Sequence, residues 1–123
     1  MPKVLRIKAR ADFLKAAQSG LCYKSGILLV QCRKRDSESD RCGSKPDGCF
    51  RVGFTASKKV GNAIVRNRCK RRMRAAADLV LKDIGENSVD YIFIARRMMY
   101  SAKWELVLET SRAAVIYLNG KLK

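Results

Sequence analysis

A chain of 123 residues with 27 Lys or Arg against 11 Asp or Glu carries a formal net charge of +16, far beyond what solubility requires, and this points to a polyanionic partner rather than a small-molecule substrate. There is no histidine, which removes Ser-His and Cys-His nucleophile pairs and the usual acid–base group at neutral pH; the longest apolar run, around Tyr91 to Ala95, is too short to span a bilayer. One domain over 1–123 is expected, with a core that needs no staple; Cys22, Cys32, Cys42, Cys49 and Cys69 form no C-x-x-C pair and read as the reduced thiols of a cytoplasmic protein.

Residues 1–9 read as a basic tail without the apolar segment of a signal peptide. Asp12 to Gly20 predicts a short helix closed by its glycine, with Phe13, Ala16 and Ala17 on one face. Phe13 is either core or the edge of a groove where a base stacks. Residues 21–33, with the run Ile27 to Cys32, and residues 49–56 predict strands. The polar stretch 34–48 between them reads as a long hairpin loop, and four of the eleven acids in it should keep it away from a polyanion. Alternation sends Leu28 and Val30 one way and Ile27 and Leu29 the other, predicting a sheet with one face under a helix and the other partly open. Thr55 is grouped with Leu28 and Val30.

Ser57 to Arg74 then holds eight Lys or Arg and no acid. Asn62 is placed to cap a helix that should run to Gly85. At 100° per residue Val65, Cys69, Met73, Ala76 and Val80 share one stripe. Arg66, Lys70 and Arg74 form a row on one flank, Arg68 and Arg72 a second row on the other, and Arg71 lies between. Such like charges at i, i+4 destabilise a helix, and a polyanion relieves them. Val89 to Ala95 is apolar at most positions, as in a central strand buried on both faces, and the basic pair Arg96-Arg97 follows it. Ser101 is expected to cap a last helix whose Trp104, Val107, Leu108, Ser111, Val115 and Leu118 face the core. The order of elements predicts an α+β sandwich, a single domain with helices on one small sheet.

No glycine-rich phosphate loop, G-x-G-x-x-G or H-E-x-x-H is present, and the scattered acids do not make a nuclease metal cluster. No catalytic or metal-ligating residue is assigned. Five arginines in the basic stretch suit bidentate phosphate contacts. A basic helix beside a strand surface and Phe13 fits RNA better than a DNA major groove.

Arg66-Asn67-Arg68-Cys69-Lys70-Arg71 resembles the Arg-Asn-Arg-x-Lys-Arg signature of the bacterial ribonuclease P protein family. Arg6-Ile7-Lys8 with Asp12-Phe13, the phrase Phe50 to Lys59, and Asp90 to Arg96 resemble that family in the same order, so the likeness covers about residues 5–118. It implies the protein subunit of a ribonucleoprotein that removes the 5′ leader of precursor tRNA, with Mg²⁺ and the catalytic groups held by the RNA subunit. The implied partners are the ribonuclease P RNA and precursor tRNA; no membrane or small-molecule substrate is expected. The implied fold is a sandwich with a mixed sheet and a left-handed crossover between parallel strands, against the usual right-handed rule. By position, Lys58, Lys59, Arg66, Asn67, Arg68, Lys70, Arg71, Arg72 and Arg74 are the implied RNA contacts. Phe13, Leu28, Val30 and Thr55, bordered by Arg66, Asn67, Lys70 and Arg74, are the implied leader cleft. Ala17 stands where relatives often have a second aromatic and Val30 where some have tyrosine, so leader stacking should be poorer here. The rival reading is a structural RNA-binding protein, such as a ribosomal component or RNA chaperone.

Overall fold

The computed structural model describes residues 4–7, 10–18, 20–34, 50–85 and 89–122. Its elements are β1 (Val4–Arg6), α1 (Arg10–Gln18), β2 (Cys22–Lys24), β3 (Leu28–Lys34), β4 (Phe50–Thr55), α2 (Ala63–Ile84), β5 (Val89–Ala95), a 3₁₀ turn (Arg97–Met99) and α3 (Trp104–Leu122). The five strands form one mixed sheet in the order β1-β4-β5-β3-β2.

β5 takes the centre because it is apolar on both faces, and all its residues but Ile94 are buried. It enters between β3 and β4, antiparallel to the first and parallel to the second. The expected hairpin over 34–48 is therefore corrected: its flanking strands do not pair, since β5 occupies the place between them. Residues 35–49 of that stretch, with Cys42 and Cys49, lie outside the described residues.

Two more expectations change. The apolar run after Gly20 is two strands folded at Ser25, whose Oγ accepts from the amides of Ile27 (3.2 Å) and Leu28 (3.1 Å) and donates to the Leu28 carbonyl (2.9 Å). Part of the expected tail is β1, which pairs in parallel with β4. The amide of Ile7 continues that ladder to the Val52 carbonyl at 2.9 Å, and Ile7 itself is buried.

Cross-strand partners point to the same side of a sheet, so the registers sort every side chain. Leu28, Val30 and Cys32, Val52 and Phe54, and Tyr91, Phe93 and Ala95 face the main core beneath α2 and α3. Leu29, Gln31, Arg33, Arg51, Gly53, Thr55, Asp90, Ile92 and Ile94 occupy the opposite side, where α1 packs Phe13 and Ala16 beside Ile7 and Ile92. Helices thus lie on both faces. Ala17, expected to share the inner face of α1, is exposed.

α3 starts at Trp104, after an intervening turn, so Ser101 stands outside its first turn and is not its cap. Its expected stripe does face inward: Val107, Ser111, Val115 and Leu118 are buried, with Trp104 and Leu108 half-buried. Polar groups in this core are paired. The Tyr91 hydroxyl donates to Asn119 Oδ1 at 2.6 Å, and Asn119 Nδ2 donates to the Ile84 carbonyl at 2.7 Å, satisfying an acceptor at the end of α2. Burial pushes the Cys32 thiol up to about 11. Burial also raises that of Cys69, opposed by the nearby charges of Arg72 and Arg68. Both thiols are protonated at neutral pH, as inert cysteines should be.

Two arginine contacts tie neighbouring elements together. Asp90 is fully buried and receives Arg51 through Nε (2.8 Å) and Nη2 (2.7 Å), with Arg33 Nη2 at 3.4 Å. Removing that carboxylate leaves two mostly buried guanidiniums facing each other. Asp90→Asn should lower the unfolding free energy by about 2–3 kcal/mol, read as a reduced urea midpoint at constant slope. On α2, Arg72 donates to the carbonyls of Met99, Tyr100 (3.0 Å) and Ala102. Arg72→Ala should cost about 2 kcal/mol by stranding those acceptors, whereas Arg71→Ala, one residue away and exposed, should stay within about 0.5 kcal/mol in the same titration.

Candidate nucleic-acid interface

The basic helix is set rigidly at both ends. Ser57 to Val60 closes a turn through the Val60 amide and the Ser57 carbonyl at 3.0 Å. Gly61 follows with φ +157°, and a Cβ there would lie 2.8 Å from Val65 Cγ1, so the chain passes the first helical turn only with glycine. Asn62 Oδ1 accepts from the Val65 amide at 3.0 Å, the expected cap. Gly85 ends the helix, its amide donating to the Leu81 carbonyl at 2.8 Å. Between them Cys69, Met73, Ala76, Ala77, Val80 and Leu81 are buried. One stripe anchors the helix, and the rest of its surface carries charge.

The cations divide as the wheel suggests, with two differences. Lys58, Lys59, Asn67, Arg68, Arg71 and Arg74 are exposed, and Arg66, Lys70 and Arg72 are half-buried. Asn67, Lys70, Arg71 and Arg74 line one open hollow with Ile64. Arg68, Arg71 and Arg72 line another with Ala75 and Trp104. Arg71 borders both, so the two rows are two surfaces joined along one side chain. Arg66 is the first difference: three residues before Cys69 and seven before Met73, it shares their inward angle and stands outside both hollows. Arg72 is the second. Its guanidinium is engaged by the carbonyls of residues 99–102, so it braces the interface more than it presents charge.

The cleft assignment is half corrected. Phe13 and Thr55 belong to the α1 side of the sheet, but Leu28 and Val30 point into the main core with no exposure. Leu29, Gln31 and Ile94, all half-buried, stand on the α1 side in their place. The sequence signal was present one step further along: Leu29, Gln31 and Arg33 alternate with Leu28, Val30 and Cys32, so the polar members mark the open side. Phe13 packs against the smaller core cluster on the α1 side. It is half-buried, and its ring lies over Gly53, where a Cβ would come within 2.7 Å of Cε1. A glycine inside a strand is the signature of such an approach.

A third cationic hollow joins Ser57, Lys59 and Val60 to Arg96, Arg97 and Met98. Because β4 and β5 are parallel, with Thr55 opposite Ile94, the segments that leave their ends are neighbours. Arg96 and Arg97 were noticed as a basic pair, but only the topology brings them beside Lys59. Among the described residues no group of three or more His, Cys, Asp or Glu is arranged to hold a metal ion, and no helix is long and apolar enough to cross a membrane.

Comparison with known proteins agrees with this arrangement. The family model described as Ribonuclease P matches residues 1–118. The Ribonuclease P protein component of Ruegeria pomeroyi is 50% identical over 90 residues, covering 73% of this chain and 66% of that protein, just under two thirds of its length. That of Caulobacter vibrioides is 40% identical over 120 residues, covering 98% and 74%. Among solved structures, the Staphylococcus aureus RNase P protein superposes with a TM-score of 0.71 at 27% identity, over 94% of this chain and 95% of that one. The RNase P protein of Thermotoga maritima shares the fold at TM-score 0.68 and 23% identity, over 94% and 96%. With the signature on α2 and the mixed sheet beneath it, the chain belongs to the ribonuclease P protein family.

Proposed function

We propose that this chain is the protein subunit of ribonuclease P, binding the catalytic RNA and the 5′ leader of precursor tRNA to promote endonucleolytic 5′ maturation. The observation that carries the reading is α2: one apolar stripe in the core, both flanks lined with cations, and Arg71 joining two hollows. A rigid charged ridge of this kind neutralises two RNA backbones at once and fixes their spacing, which lowers the demand for free Mg²⁺.

The protein supplies positioning and charge rather than chemistry. Asp90, the only buried carboxylate among the described residues, is engaged by Arg51 and Arg33 and is not a metal ligand. The metal ions that activate water are assigned to the RNA subunit. The leader is assigned to the open α1 side of the sheet, where Phe13 offers a ring face and Leu29, Gln31, Thr55 and Ile94 form the floor. Asn67, Lys70, Arg71 and Arg74 meet RNA phosphates, with Lys58, Lys59 and Arg68 adding to the field. The site of action is the cytoplasm, where precursor tRNA is processed.

Reconstitution tests the whole reading: the purified chain with a cognate ribonuclease P RNA should restore 5′ processing at low magnesium. Failure would favour an RNA-assembly role. With about five phosphates contacted, log affinity for precursor tRNA should fall against log salt with a slope of about −3.5 to −4.5, and a slope near zero would remove the electrostatic mechanism. The two sides of β3 separate binding from folding. Leu28→Ala should cost about 2–4 kcal/mol of stability by opening a core cavity while the folded fraction binds leader normally. Gln31→Ala should weaken leader binding with stability unchanged within about 0.5 kcal/mol, measured by fluorescence anisotropy of a labelled leader and by urea titration.

A further inference from the structure

The far flank of α2 carries an aromatic surface that leader binding does not use. Tyr100 and Trp104 belong to the turn and first residue that lead into α3, on the side of the sheet opposite Phe13. Tyr100 is 42% exposed, and the Arg68 guanidinium carbon lies 5.4 Å from its ring centroid. Trp104 is half-buried, packed on the core while lining the hollow with Arg68, Arg71, Arg72 and Ala75. Arg72 makes this surface rigid by holding the carbonyls of Met99, Tyr100 and Ala102. Ala75 has no side chain beyond Cβ, leaving room for a flat group beside the indole.

Resting on the reading above, we infer that this hollow receives one unpaired nucleobase of the RNA subunit, stacked on Trp104, with the flanking phosphate held by Arg68 and Arg71. Aromatic faces beside arginines are the means by which proteins hold unstacked bases, and an apolar peptide would bring no charge for the two exposed arginines. The leader lies on the other side of the sheet, so the nucleotide here comes from a separate strand. Arg71, shared with the outward hollow, makes this contact continuous with the basic helix. Arg68 and Arg71 thereby serve the RNA subunit.

Trp104 is the only tryptophan in the chain, so the fluorescence of the unlabelled full-length protein reports on this hollow. Titration with a cognate ribonuclease P RNA, without substrate, should quench Trp104 in proportion to occupancy, and a single-stranded leader oligonucleotide should not. Trp104→Leu should raise the Kd for the RNA subunit about 5- to 100-fold, the loss of one base–aromatic stack, with leader affinity unchanged. Trp104→Phe should stay near wild type, since a stacking face remains, which separates stacking from a folding defect. Binding of the RNA without quenching, quenching by the leader oligonucleotide, or equal losses of RNA and leader affinity in Trp104→Leu would each overturn the assignment while leaving the subunit reading intact. Absence of any binding to the ribonuclease P RNA would overturn both.

Discussion

Everything in this molecule depends on where β5 goes. Its sequence, apolar on both sides, gains most by having a strand on each edge and a layer over each face, and it finds both only between β3 and β4. That insertion places Asp90 across from both Arg51 and Arg33 in the two neighbouring ladders, so three strands are tied by one carboxylate. It also sets β4 and β5 parallel and adjacent, which obliges the connection between them to cross one face as a helix. That helix is α2.

The consequence is a different kind of surface on each sheet face. The α2 and α3 side holds the larger core and displays charge on the outer surface of its helices. The α1 side is only partly covered, because α1 is short and brings little beyond Phe13 and Ala16. This partly covered face, with Gly53 beneath the Phe13 ring, lies across the sheet from the arginine and tryptophan hollow.

Not every arginine of the basic stretch offers its charge to a polyanion. Arg72 differs from Arg68 by one turn and from Arg71 by one position, yet its guanidinium closes on three carbonyls of the turn before α3. Charge density along a helix therefore overstates the electrostatic footprint when some cations are used to join elements. Arg66 is half-buried at its inward angle.

Much of this was written in the chain. The net charge of +16, the absence of histidine, the anchored cationic helix with its Asn62 and Gly85 boundaries, the central character of Val89 to Ala95 and the family signature were all readable, because each is a matter of residue type at a local spacing. Tertiary structure alone decided which strands pair, and with that it replaced the expected hairpin, recruited Val4 to Arg6 into the sheet and brought Arg96 and Arg97 beside Lys59. It also decided the face of β3. Of the residues that the family resemblance grouped in a leader cleft, Phe13 and Thr55 lie on the α1 side, whereas Leu28 and Val30 are one residue out of phase, and a one-residue shift in a strand exchanges its two faces. Local pattern states that a strand has a buried side; only its partners state which layer that side meets.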